Sequence, residues 1–123
     1  MAIERFEEIE AWKSARELVR SLYDTAGRQP ELARDFALWD QLKRAAISIM
    51  GNIAEGFDAR SRPEFLRFLG YAYRSATEVQ SHLYVALDQG YVAQCEFDAL
   101  YAQTVSVKRL LSGFIRYLKE CPR

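Results

Sequence analysis

An all-α fold, a single antiparallel up-down-up-down four-helix bundle that self-associates, is the architecture this 123-residue chain predicts. Three observations carry the expectation. Apolar residues recur at three- and four-residue spacing through four long segments, the repeat of a helix with one buried face. Gly27 with Pro30, Gly56 with Pro63, and Gly90 stand between those segments, where such residues stop or start helices. The second segment is apolar on two sides, more than a helix needs for its own bundle. No alternating strand pattern or internal repeat competes with this reading.

Residues 1–8 read as a flexible polar arm, anchored by Ile3 and Phe6 and partly ordered at best. The first helix is expected from Ile9 to Ala26, with Trp12, Ala15, Val19, Leu22 and Ala26 as its seam and Gly27 as its cap. Arg28 to Arg34, containing Pro30, breaks the pattern and reads as the longest internal loop. Asp35 can cap a second helix from Phe36 to Glu55, stopped by Gly56. Ser61-Arg62-Pro63-Glu64 is a capping box, so the third helix starts there. It runs to about Gln89 with Phe65, Leu69, Ala72, Ala76, Val79, Leu83 and Leu87 inward, and Gly90 ends it. The fourth helix, Gln94 to Glu120, turns Phe97, Leu100, Thr104, Val107, Leu111, Phe114 and Leu118 to the core, before Cys121 and Pro122. Short connections make sequence neighbours antiparallel.

The length suits one domain with a real core. Half the residues are apolar, which a disordered chain does not carry. The N-terminus has neither a basic nor an apolar leader region, and no apolar run reaches the length of a bilayer span; the expected location is cytoplasmic, without a membrane partner. Cys95 and Cys121 stand far apart and outside any CxxC pattern, so reduced thiols are expected. Net charge is zero but segregated: −3 over residues 1–40, +3 over 41–74, −4 over 75–107 and +4 over 108–123. Such blocks can lace helices and subunits together, or present local basic faces on a neutral protein.

The second helix carries the strongest architectural signal. Leu38, Leu42, Ala45, Ile49, Ile53 and Gly56 form its core stripe, and a second apolar group, Trp39, Ile47, Met50 and Ala54, points elsewhere. The simplest cover for that second group is another copy of the chain. Between the two runs a polar line of Gln41, Arg44, Ser48, Asn52 and Glu55. Half-buried at a junction, these groups need partners. Arg44 could fork onto Glu55 or onto Glu78 of another helix or chain, locking the register between copies. The other reading of this line is a ligand pocket.

Gln41, Arg44, Ala45, Ala46, Ser48, Ile49, the run Asn52-Ile53-Ala54-Glu55-Gly56, and then Ser61, Glu64 and Phe65 resemble the signature of the four helix bundle proteins encoded in intervening sequences of bacterial 23S rRNA genes. The resemblance spans nearly the whole chain. It implies a cytosolic, non-enzymatic homopentamer of four-helix bundles. More distantly the chain is similar to the accessory protein of diversity-generating retroelements, a basic pentamer associated with nucleic acid and reverse transcriptase. Met50-Gly51, Asp58-Ala59 and Arg74 depart from the usual residues of the family signature.

Catalytic patterns are sparse. His82 is the one histidine, and Glu78 precedes it by four residues, not the three of a di-iron Glu-x-x-His pair. No phosphate loop, nucleophile–base pair or metal-ligand spacing is present, so neither an enzyme nor a cofactor or metal is expected. For nucleic acid, RNA or DNA, two faces qualify. Arg60, Arg67 and Arg74 recur every seven residues, with Tyr71 beside them, and Lys108, Arg109, Arg116 and Lys119 flank the last helix together with Arg123. Guanidinium groups at intervals can follow phosphates and a tyrosine can stack on a base. Against this stands plain solvation, pairing with Glu64 and Glu78, or a basic end matching the helix dipole. The function class expected is therefore a nucleic-acid-associated accessory protein, with a protein-interaction scaffold as the alternative.

Overall fold

The computed structural model describes residues 3–120, all of whose regular structure is helical: α1 (Glu10–Arg28), a short α2 (Pro30–Arg34), α3 (Phe36–Asp58), α4 (Arg62–Asp88) and α5 (Gln94–Glu120), preceded by a 3-10 turn at Phe6–Glu8. α1 packs on α3 and α5, and α4 packs on α3 and α5. The four long helices thereby enclose one core, in which Leu18, Leu22, Leu42, Ile49, Ile53, Leu69, Leu83 and Leu111 are fully buried. Thr104 is buried among them, its hydroxyl donating to the Leu100 carbonyl at 2.8 Å. That bond removes the cost of an unpaired polar group.

The apolar stripes lie largely where their spacing puts them. All of Leu38, Leu42, Ala45, Ile49, Ile53 and Gly56 on α3 are buried, as are Phe65, Leu69, Ala72, Ala76, Val79 and Leu83 on α4. On α1 the expected Ala15, Leu22 and Ala26 are buried together with Ala11, Leu18 and Thr25, while Trp12 and Val19 lie on the edge of the seam. Ala86 rather than Leu87 closes the α4 stripe, and Phe114 is only partly covered on α5.

Several boundaries differ from the sequence expectation, each for a local reason. Before α1, Ile9 is buried and the Phe6 ring meets the Trp12 edge at 5.2 Å between centroids. α1 continues through Gly27, because the Gln29 amide still reaches the Thr25 carbonyl at 2.8 Å. The expected loop over 28–34 is mostly helix. Pro30 supplies the fixed φ of a first turn, and Leu32, 1% exposed, anchors α2 in the core. Gly56 does not stop α3, which runs on to Asp58. A Cβ there would sit 2.8 Å from Phe68 Cβ and 2.9 Å from Phe65 Cδ1, so this glycine permits close approach of α4.

The caps expected of Asp35 and Ser61 form, whereas Glu64, the other half of the expected capping box, turns its carboxylate to Arg67. Asp35 Oδ1 accepts from the Leu38 amide at 3.1 Å, and its other oxygen accepts from the Tyr91 hydroxyl at 3.0 Å. Ser61 Oγ accepts from the Glu64 amide at 3.3 Å. Gly90, with φ of +75°, makes the left-handed turn after α4. At the start of α5 the Glu96 carboxylate accepts from the Ala93 amide (2.9 Å) and from Gln29 Nε2 (3.0 and 3.2 Å), with Arg28 at 3.6 Å. These bonds hold its carboxyl below the usual carboxylate range, led by the Ala93 amide. They tie the end of α1 to the beginning of α5. Cys95 is exposed and free, whereas Cys121, Pro122 and Arg123 lie outside the described residues.

Candidate nucleic-acid interface

The flank of α4 that faces α5 carries Tyr73 and Gln80, seven residues apart and hence on one side of the helix. Opposite them α5 sets Lys108, Arg109, Ser112 and Arg116, spaced by one, three and four residues along a single face. Together with Val105 these side chains line a groove of about 360 Å³. Lys108 Nζ donates to Gln80 Oε1 at 2.9 Å and sits 4.8 Å from the Tyr73 ring centroid. Both contacts hold the ammonium group in place without neutralising it. Arg109 and Arg116 are exposed and form no ion pair among the described residues. Seven residues of helix separate them by about 10 Å. The wall contains no carboxylate, so its positive potential is undiminished by any side chain of its own lining.

The other basic set occupies the outward face of α4. Arg67 donates to Glu64 at 2.7 Å, and this acid both pairs with it and raises its affinity for the proton. The guanidinium of Arg67 stands 5.7 Å from the Tyr71 centroid and that of Arg74 5.9 Å from the same ring. Phe68 meets Tyr71 edge-on at 5.9 Å. Tyr71 is thus engaged by two cations and an aromatic edge. Arg60 is exposed beside Ser61, just before α4. Lys119 is exposed in the last turn of α5, where a cation suits the helix dipole. At that same end Arg62 Nη1 donates to the Leu118 carbonyl at 2.9 Å.

The polar line of α3 divides. Ser48 and Asn52 turn toward α4: Asn52 Nδ2 donates to the Ser48 carbonyl and hydroxyl oxygens at 2.9 Å each, and Ser75 Oγ donates to Ser48 Oγ at 3.0 Å. Ser75 is 7% exposed. Arg44 finds its carboxylate one turn back in its own helix, Asp40 at 2.8 Å, rather than in Glu55 or Glu78. An i,i+4 partner is always within reach, whereas a distant one depends on packing. Gln41, Glu55 and Glu78 are exposed.

Of the second apolar group, Ile47 is 45% exposed and Met50 partly covered. Trp39 is a correction: it is 9% exposed, its ring set against Tyr23 of α1 at 5.4 Å. About 100° from the core stripe is the flank that meets α1, not the outer face. His82 is partly covered, and no three His, Cys, Asp or Glu residues among those described converge as for a metal. No helix of the described residues is long and apolar enough to cross a membrane.

Tyr73, Gln80 and Ser112 were not singled out from the sequence. Their signal was positional: Tyr73 and Gln80 share a flank with seven-residue spacing, and Ser112 lies one turn from both Lys108 and Arg116.

The family model of the 23S rRNA-intervening sequence proteins matches residues 7–113. The chain belongs to that family. A crystal structure of a protein of unknown function from the S23 ribosomal protein family, from Bacteroides thetaiotaomicron, is similar in fold, with a TM-score of 0.79 and 21% identity over 86% of this chain and 98% of the other. No curated protein matches the chain. The match begins before α1 and ends within α5, so it includes Lys108, Arg109 and Ser112 but stops short of Arg116 and Lys119.

Proposed function

We propose that this intervening-sequence family protein is a non-enzymatic, self-associating accessory protein that binds the phosphate backbone of RNA or DNA, with the α4–α5 groove as its principal contact. The observation that carries the reading is the set of cations in that groove, Lys108, Arg109 and Arg116, gathered on a wall without a carboxylate. Each phosphate they neutralise releases counterions, which is the main source of backbone affinity. Arg60, Arg67, Tyr71, Arg74 and Lys119 add a weaker, outlying surface, because Arg67 is already paired with Glu64 and Tyr71 is already engaged.

The long helices pack around the core in the order α1, α3, α4, α5, and the connections over 59–61 and 89–93 are short. Antiparallel up-down-up-down packing is the arrangement that such connections allow. Self-association uses the outer side of α3, where Ile47 and Met50 lie with Gly51 and Ala54 and where Phe36 is 80% exposed. Gln41, Arg44 and Glu55 border this side, and a ring of five is the assembly implied by the family resemblance. Repetition of the groove around a ring multiplies phosphate contacts. A cytoplasmic location fits such a role.

Two measurements test the reading. Mobility shifts with structured RNA, single-stranded RNA and duplex DNA are expected to show complexes at low salt, and none with any of the three would remove the nucleic-acid role. The native mass is expected to be a multiple of the 14.2 kDa chain, falling to that of the chain in Ile47→Asp with helicity retained. A wild-type protein of single-chain mass would end the proposal of self-association.

A further inference from the structure

The basic groove continues into an aromatic one. Val105 and Arg109 also border a second depression, of about 410 Å³, whose wall includes Phe97 and Tyr101. Tyr84 of α4 completes the cluster, its ring centroid 4.9 Å from that of Phe97 and 5.8 Å from that of Tyr101; Phe97 and Tyr101 are 5.4 Å apart. Phe97 is 6% exposed and Tyr84 is 49% exposed, with Tyr101 half-buried beside them, so a buried ring backs one exposed and one partly covered tyrosine. The neighbouring Tyr101, chiefly through charge interaction, raises the Tyr84 phenol pKa above its ordinary value. Asp98 is the carboxylate at this end, and it accepts from Gln94 Nε2 at 2.9 Å.

Along α5 the face therefore changes from aromatic at Tyr101, through Val105, to cationic at Arg109 and Arg116. From Tyr101 to Arg116 the helix rises about 22 Å, enough for several nucleotides of an extended strand. From this juxtaposition of the exposed Tyr84 and the half-buried Tyr101 with Arg109 and Arg116, which form no ion pair among the described residues, we infer that the α4–α5 face binds single-stranded nucleic acid, unpaired bases stacking on Tyr84 and Tyr101 while phosphates follow Arg109, Ser112 and Arg116. A duplex keeps its bases stacked on each other and offers these rings nothing to cover. A single strand offers both a π face and a phosphate at each step. The inference rests on the nucleic-acid reading above and narrows it to a substrate class.

The test uses labelled oligouridylate, oligothymidylate and a duplex of the same length with wild-type protein and with Tyr84→Leu/Tyr101→Leu. Leucine keeps apolar volume beside Phe97 but has no ring face. Wild type is expected to bind both single strands more tightly than the duplex, and the double variant to lose at least about fivefold for single strands. Its duplex affinity and salt dependence stay unchanged. Bromouridine-substituted oligouridylate is expected to photo-cross-link to Tyr84 or Tyr101. Equal single-strand affinity in variant and wild type, or cross-links confined to other helices, would overturn the stacking inference and leave backbone binding standing. Absence of binding to all three probes would overturn both.

Discussion

The two flanks of α4 are built on opposite rules. Toward α3 the side chains are small or matched: Gly56 lets the phenylalanines of α4 approach its backbone, and Ser48, Asn52 and Ser75 satisfy each other. Toward α5 the surface contact is made by long polar side chains, which leave a groove between the helices whose lining holds three cations and no carboxylate. Side-chain size sets how near two helices can come. A close flank has no room for a ligand, and a flank held apart by lysine, arginine and glutamine does. The same helix thus contributes a close-packed seam on one side and an open groove on the other.

The sharpest way to break this comparison is charge reversal on the open flank. Arg109→Glu/Arg116→Glu is expected to weaken nucleic-acid binding on the order of 100-fold and to lower the log–log salt slope by about 2 per engaged protomer, with unchanged thermal stability. The closed flank should respond in the reverse manner. Gly56→Ala puts a methyl group into van der Waals overlap with Phe65 and Phe68 and is expected to cost about 1–3 kcal/mol in denaturant unfolding, with affinity intact once folded. Ser75→Ala removes the buried donor to Ser48 and is expected to cost about 1 kcal/mol. Arg67→Glu/Arg74→Glu, on the face between the flanks, is expected to change binding only a few-fold, because Arg67 already serves Glu64. A loss equal to that of the groove variant would reverse the ranking of the two basic sets.

The smallest effect concerns the tether that holds α5 from its other side. Glu96 has its carboxyl pKa lowered on folding, so its contribution is full above the ordinary carboxylate range and disappears as pH falls through the lowered value. Glu96→Gln is expected to be less stable than wild type by a few tenths to about 1 kcal/mol at neutral pH. That gap should narrow in acid melts. A gap that widens in acid would contradict the capping role of the carboxylate.

Much of the fold was legible because burial follows helical period: the stripes of α3 and α4 were read almost residue by residue, and Asp35, Ser61 and Gly90 act at the ends where they were expected. Gly56 was misread, since a glycine marks either a helix end or a close approach, and only the facing Phe65 and Phe68 decide which. Trp39 was misplaced because a bundle helix meets two neighbours, which widens its buried arc beyond one stripe. The basic residues of α5 were identifiable by charge alone, yet the absence of a carboxylate partner for Lys108, Arg109 and Arg116 among the described residues was not, since pairing depends on which helix faces which. Tyr84 and Tyr101 escaped notice for the same reason: nothing in the local spacing announces that residues of two helices form one platform.

The most direct test is a salt titration of oligouridylate binding by fluorescence anisotropy, run in parallel on wild-type protein and Arg109→Glu/Arg116→Glu. Wild-type affinity that falls linearly with salt on logarithmic axes, and a variant that binds weakly with a shallower slope, is the predicted result. A variant that binds like wild type, or a wild type that does not bind even at low salt, would contradict the assignment of the α4–α5 groove.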